Sequence, residues 1–600
     1  MTRILMIFSL VSLAWAATAQ TASLARKYFQ DGEFEKAATL YQELHERNRT
    51  NDYYFERYLA TLLELEDYKE AEKMVKKAIK SAPEKVERYV DYGVVYERMG
   101  DAKEADKQYD NAIKLLPNNQ AQIIRLARSF SINKNYDFAI KTYEKGEKLM
   151  AIKDLFAYEM GIVYTQKGDV PKMIESYLSS LAYLPNRMTN VQAFFQRELS
   201  QGDGFDELKK QLYERIQQAP EQTIYPEMMI WVHMQQNDFK AALRQAKALD
   251  KRLSENGSRV FGLAQIAIRE KDYESAIAGF EYIINDKGRD CPYYIDAKQK
   301  TLATKRARLL SGFAYTMTDL RELEAEYEAF LDEFGRSHNT AVIMQELAEL
   351  EAFYIQDISK ATTILDEVIK MPRLSRLTIN RSKIDLGDYY LMLGEVWEST
   401  LLYSQVDKEM KDAPLGELAR FKNAKLSYYK GDFEWAQDQL DVLKGSTSEL
   451  ISNDAIDLGV FIMDHYALDT TPKPMELFAR ADLLMFQNKN EAAISVMDSL
   501  AVQYSKHGLN DDILFAKAKI AMKERDYQKA VTLLEMIPEK YKESILVDNA
   551  IFQLAELYEI QLKDNKKAMD LYEKILFDHP GSLFTVEARK RFRRLRGDGV

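Results

Sequence analysis

A small residue returns every 34 positions along the first third of this chain, and that recurrence leaves few folds open. Ala37, Ala71, Ala105, Ala139 and Met173 mark it, each 34 residues after the last. The stretch from Tyr89 to Pro117 shows the unit in full: Tyr89, Tyr92-Gly93, Tyr96, Gly100, Ala105, Tyr109, Ala112 and Pro117. Gly93 and Ala105 are small enough for two helices to approach closely, and Tyr92, Tyr96 and Tyr109 fill the seam around them. Gly100-Asp101 breaks the first helix, because glycine takes positive φ at little cost and aspartate caps the helix that follows. Pro117 ends the second helix, and Pro83 and Pro185 keep the same register. Each unit is a helical hairpin whose apolar face is too large to bury alone, so it needs neighbours.

A 34-residue period with this small and aromatic pattern resembles the tetratricopeptide repeat family. The resemblance implies an all-α, right-handed α-solenoid of about 15 helical hairpins. The register continues through Gly202-Asp203-Gly204-Phe205, Asp238 to Ala242 and Asp272 to Ala276. The spacing then widens. Leu323 follows after 47 residues, Ala361, Ser399 and Ala436 at steps of 38, 38 and 37, Ala493 after 57, and Ala530 and Ala568 at 37 and 38. The two long steps leave room for inserted helices near Ala297 to Ala314 and Leu450 to Tyr466. These breaks divide the chain into a leader at 1–19, a regular array at 20–290 and a junction with an inserted helix at 291–322. A longer-period array follows at 323–445, then an insertion at 446–475, a C-terminal array at 476–585 and a basic capping helix and tail at 586–600. The longer-period half is similar to the tetratricopeptide domains of periplasmic envelope-assembly and Tol–Pal coordinator proteins, through its spacing and phrases such as His579-Pro580-Gly581-Ser582.

The N-terminus reads as an address. Arg3 precedes an apolar run from Ile4 to Trp15, and Ala17-Thr18-Ala19 supplies small residues for cleavage before Gln20. The run is shorter than the roughly 20 residues that cross a bilayer, and no later segment is long enough either. Cys291 is the one cysteine, so the chain has no internal disulfide and must be held by packing. A net charge of −11 argues against nucleic-acid binding, which needs a basic face.

Chemistry is sparse. His45, His233, His338, His465, His507 and His579 are too far apart in sequence for a helical metal pair. No phosphate-binding loop, nucleophile elbow or zinc cysteine cluster occurs. Carboxylate pairs such as Asp511-Asp512, or Glu346 with Glu349, read as solvated helix faces in a chain with 94 acids. The reading therefore carries no catalytic residue, cofactor or metal.

What remains is surface. The family resemblance implies that the first helix of each hairpin lines a concave groove. Counting 15, 11 and 8 residues back from each marker gives Glu56, Ala60 and Leu63; Val90, Val94 and Glu97; Ile124, Arg128 and Ser131; and Tyr158, Ile162 and Thr165. Tyr53 lies one turn before Glu56. The Lys and Asn clamp of chaperone-tail-binding members is absent, so that activity is not implied. The groove suits an extended or helical peptide segment. At the C-terminus Arg589, Lys590, Arg591, Arg593, Arg594 and Arg596 form either a solubilising cap or a patch for an acidic partner protein, anionic lipid or glycan. The expectation is a non-enzymatic scaffold of the bacterial periplasm that binds envelope or outer-membrane proteins. The alternative is a glycan- or peptidoglycan-associated factor whose tyrosines stack on sugars.

Overall fold

The computed structural model describes residues 20–199, 204–311, 315–411, 413–445, 448–467 and 471–598. The leader expected at 1–19 lies outside these residues, as do Gly202 and Asp203 of the sixth repeat. Among the described residues all regular secondary structure is helical.

The packing falls into two compact units, one ending at Ala297 and the other starting at Lys298. The first contains α1 (20–30), α2 (Phe34–Arg47), α3 (Asp52–Glu64), α4 (Tyr68–Ser81), α5 (Glu87–Met99), α6 (Ala102–Lys114), α7 (Gln120–Ile132) and α8 (Tyr136–Met150). It continues with α9 (Ala157–Lys167), α10 (Val170–Tyr183), α11 (Met188–Glu198), α12 (Gly204–Gln218), α13 (Ile224–Gln235), α14 (Phe239–Arg252), α15 (Ser258–Arg269) and α16 (Tyr273–Tyr282). Helix α17 (Tyr294–Ser311) carries the boundary. The second unit holds α18 (Met317–Phe334), α19 (Ala341–Leu350), α20 (Ile358–Ile369), α21 (Arg376–Leu393), α22 (Val396–Glu409), α23 (Pro414–Lys430), α24 (Phe433–Leu443) and α25 (Glu449–Ile462). Its last helices are α26 (Lys473–Phe486), α27 (Asn490–Gln503), α28 (Asn510–Lys523), α29 (Tyr527–Lys540), α30 (Val547–Glu556), α31 (Asn565–Asp578) and α32 (Thr585–Arg596).

The hairpin turn has one recipe. Five residues before most markers the backbone is left-handed, at Gly100, Gly168 and Gly394 but also at Glu66, Lys134, Asn237, Gln356, Arg525 and Lys563. In most of these turns the next residue caps the second helix, though Asn135 and Glu395 do not. The carboxylates of Asp67, Asp101, Asp169, Asp272, Asp357, Asp526 and Asp564 each accept from the backbone N–H three residues on. The marker then points inward: Ala37, Ala71, Ala139, Ala361, Ala436, Ala493, Ala530 and Ala568 expose none of their surface.

Glycine in the first helix has a different task from the one its size alone suggests. A Cβ on Gly93 would lie 2.0 Å from Cε1 of Tyr109, so the glycine makes a socket for that ring. The same fit joins Gly161 to Tyr177 at 2.8 Å and Gly387 to Tyr403 at 2.5 Å. In each pair the tyrosine follows by 16 residues, and all three rings are buried.

The longer period of the second unit is taken up largely by longer first helices. Helices α21 and α23 have 18 and 17 residues, against 13 in α3, α5 and α7. Helix α25 packs on α24, while α26 reaches past both to pack on α23. The side-chain amide of Gln487 donates to the Leu391 carbonyl at 3.0 Å across that detour. No helix among the described residues is long and apolar enough to cross a membrane.

Candidate functional site

Three successive first helices, α3, α5 and α7, build a cavity of about 380 Å³ on the first unit. Its floor is apolar, from Leu59, Ala60, Leu63 and Val94. Phe55 and Tyr58 on the other side of α3 are buried, which turns Glu56 and Ala60 toward the cavity.

One wall is a tight ionic cluster. The Arg88 guanidinium lies 3.6 Å from the centroid of the Phe55 ring, donates to Asp91 at 3.0 Å and pairs with Asp52. Lys85 also donates to Asp52, at 2.7 Å. Burial works to raise the Asp52 carboxyl, but the hydrogen bond from Lys85 and the charge of Arg88 outweigh it and hold the group below the usual carboxylate range. Asp91 goes the other way: burial pushes its carboxyl up to about 6 against the pull of Arg88. Glu87 and Arg125 extend the wall with a 3.4 Å pair between α5 and α7.

The rim is different. Among the described residues neither Glu56 on α3 nor Arg128 on α7 has a hydrogen-bond or ion-pair partner, and both are exposed. Ile132, one turn beyond Arg128, exposes 74% of its surface. An unpaired acid and an unpaired base thus flank an apolar floor, with an open aliphatic side chain beside them.

Of the groove positions counted from the markers, Glu56, Ala60, Leu63, Val94 and Arg128 line this cavity together. Val90 does not reach it. It is wholly buried in the core, because α5 turns Val90 toward its own hairpin. Glu97 is exposed and Ile124 half-buried, both outside the lining. Tyr53 is exposed beneath the Arg57 guanidinium. On α9, Ile162 is exposed, while Tyr158 is half-buried under Arg187, 4.0 Å from its ring centroid. Asp52, Lys85, Arg88 and Ile132 escape the count. They occupy positions that differ in type from repeat to repeat, so periodicity carries no signal for them.

Half of the basic tail is spoken for. Arg591 pairs with Glu556 at 2.8 Å, Glu587 at 3.0 Å and Glu559 at 3.2 Å, and Arg594 also meets Glu559. Arg596 pairs with Asp598. Arg589, Lys590 and Arg593 are exposed.

Stacked helical hairpins with a wall of first helices define a helical-repeat protein. Two family models described as tetratricopeptide repeat match the chain, over residues 86–119 and 228–290. The chain carries these repeats, and neither match indicates a catalytic family. No curated protein sequence matches it. Among solved structures it is similar to Naa15/Naa10 bound to HypK-THB, at 14% identity over 96% of each chain, with a TM-score of 0.26. It is similar to yeast Tom70 at 12% identity, covering 96% of this chain and 99% of that one, with a TM-score of 0.26. A tetratricopeptide repeat protein from Parabacteroides merdae shares 10% identity, covering 49% of this chain and 97% of its own, with a TM-score of 0.28.

Proposed function

We propose that this protein is a non-enzymatic scaffold of the bacterial cell envelope that holds a partner polypeptide in the cavity between α3, α5 and α7. The observation that carries the reading is the pair of unsatisfied charges, Glu56 and Arg128, in the lining of one cavity with an apolar floor. A peptide segment with an apolar residue between two charged ones would satisfy both. The sugar-stacking alternative has less support, because Tyr41, Tyr109, Tyr177, Tyr327 and Tyr403 are core side chains. Export rests on the leader, which is expected to leave Gln20 as the first residue of the mature chain.

The test is photo-crosslinking in intact cells from a probe at Ile132, with exposed Lys141 on α8 as control. A partner captured from Ile132 and absent at Lys141 is the expected result. Affinity of the purified pair should then fall by about tenfold with Arg128→Glu. Equal capture at the two positions, or an affinity untouched by Arg128→Glu, would remove the cavity from the proposal. Tyr158 is a poor probe position, since Arg187 covers its ring.

A further inference from the structure

The second unit carries a larger cavity, of about 740 Å³, that the groove count does not touch. It is lined from α23, α25, α26, α28 and α30 and carries six aspartates: Asp457, Asp464, Asp482, Asp511, Asp512 and Asp548. Asp512 meets His465 Nε2 at 3.3 Å, and Asp548 accepts from the Asn549 backbone N–H at 2.8 Å. Among the described residues the other four have no hydrogen-bond or ion-pair partner. Lys519 is the one lysine or arginine in the lining, and it stands over the Phe515 ring, 4.7 Å from its centroid, without pairing to a carboxylate.

A separate observation points to an occupant. Tyr428 lines the cavity with only 1% of its surface exposed, and its hydroxyl has no hydrogen-bond partner among the described residues. Burial, then the charge of Asp482, raises that phenol well above its ordinary value, so it stays protonated. That oxygen opens on the cavity and is free to accept from a donor of a ligand. Phe461, Phe478 and Phe515 add aromatic faces. At the rim Ile545 and Leu583 expose 74% and 94% of their surfaces.

We propose that this cavity receives an arginine side chain of a partner polypeptide, with a neighbouring apolar residue of that segment resting on Ile545 and Leu583. A guanidinium matches the site in three ways. Its fork of N–H donors serves carboxylates placed on different helices, one N–H can reach the Tyr428 oxygen, and its flat face stacks on phenylalanine rings. A metal ion matches poorly: among the described residues no three His, Cys, Asp or Glu side chains are grouped to hold one. A small free cation would leave the apolar rim unused.

The test is fluorescence anisotropy on the full chain with a fluorescein-labelled peptide bearing two arginines between leucines. Its counterpart carries citrulline, which keeps the shape and loses the charge. The arginine peptide should bind at least about tenfold tighter than the citrulline peptide. Asp482→Asn, Asp511→Asn and Tyr428→Phe should each weaken it by about tenfold at most. Lys519→Ala should tighten it severalfold, a change of sign that misfolding cannot mimic. Equal affinity for the two peptides would overturn the proposal, as would indifference to Asp482→Asn, weakening by Lys519→Ala, or binding of spermidine without binding of the peptide. Capture at Ile132 in the first unit should be unaffected by Asp482→Asn, so failure of one site leaves the other standing.

Discussion

At Gly93 the ring of Tyr109 occupies the place where a side chain would begin, and the ring cannot retreat. It is fully buried, and its hydroxyl accepts from the Asn135 amide at 3.0 Å. Gly93→Ala therefore overpacks the hairpin and should lower stability by about 2–3 kcal/mol. Gly100→Ala meets no atom within 4 Å and suffers only its φ of 81°, so about 1 kcal/mol is expected. Thermal melts of the two variants give the order, and a smaller loss at Gly93 would refute the socket. At this scale the sequence is informative wherever a residue repeats. The marker alanines and capping aspartates recur at fixed offsets and are legible. Asp52 and Arg88 sit in successive repeats at positions whose residue type is not kept from one repeat to the next, so no comparison within the chain reveals that they meet. Val90 fits the counting rule and is nevertheless core, because a first helix buries more of its circumference than a fixed offset assumes.

Helix α32 shows how one element closes the array. Apart from Val586 its exposed residues are polar, and its inner ones, Ala588, Phe592 and Leu595, pack with the last core cluster. Arg591 is the fastening. It serves three carboxylates, among them Glu559, which keeps only 8% of its side chain exposed and also accepts from the Tyr572 hydroxyl at 2.7 Å. Burial tends to raise the Glu559 carboxyl, but hydrogen bonds from Tyr572, Arg594 and Arg591 hold it below its usual value. Arg591→Ala should cost about 1–2 kcal/mol and speed amide hydrogen exchange in α31 and α32. Arg593→Ala, at an exposed position, should do neither. Equal exchange in the two variants would show that the helix is held by its apolar face alone. The run of basic residues is visible in the sequence, but its pairing is not, since Arg591 and Glu559 lie 32 positions apart. The inserted helices are different. They correspond to long steps between markers, and α17 and α25 fall within those two steps.

Over the whole molecule the recurring markers carry the fold, because each hairpin leans chiefly on the next and local rules suffice. What they cannot convey is a contact that skips elements. Such a contact occurs in the second unit where α26 lies against α23 and Gln487 holds the Leu391 carbonyl, 96 positions away. Phe486 beside it packs against both neighbouring cores. If the two ends of the chain were drawn apart in an optical trap, ordinary hairpins would peel off singly in short steps. The span closed by that clasp should resist and then give way at once, releasing roughly 30 nm of polypeptide in one event.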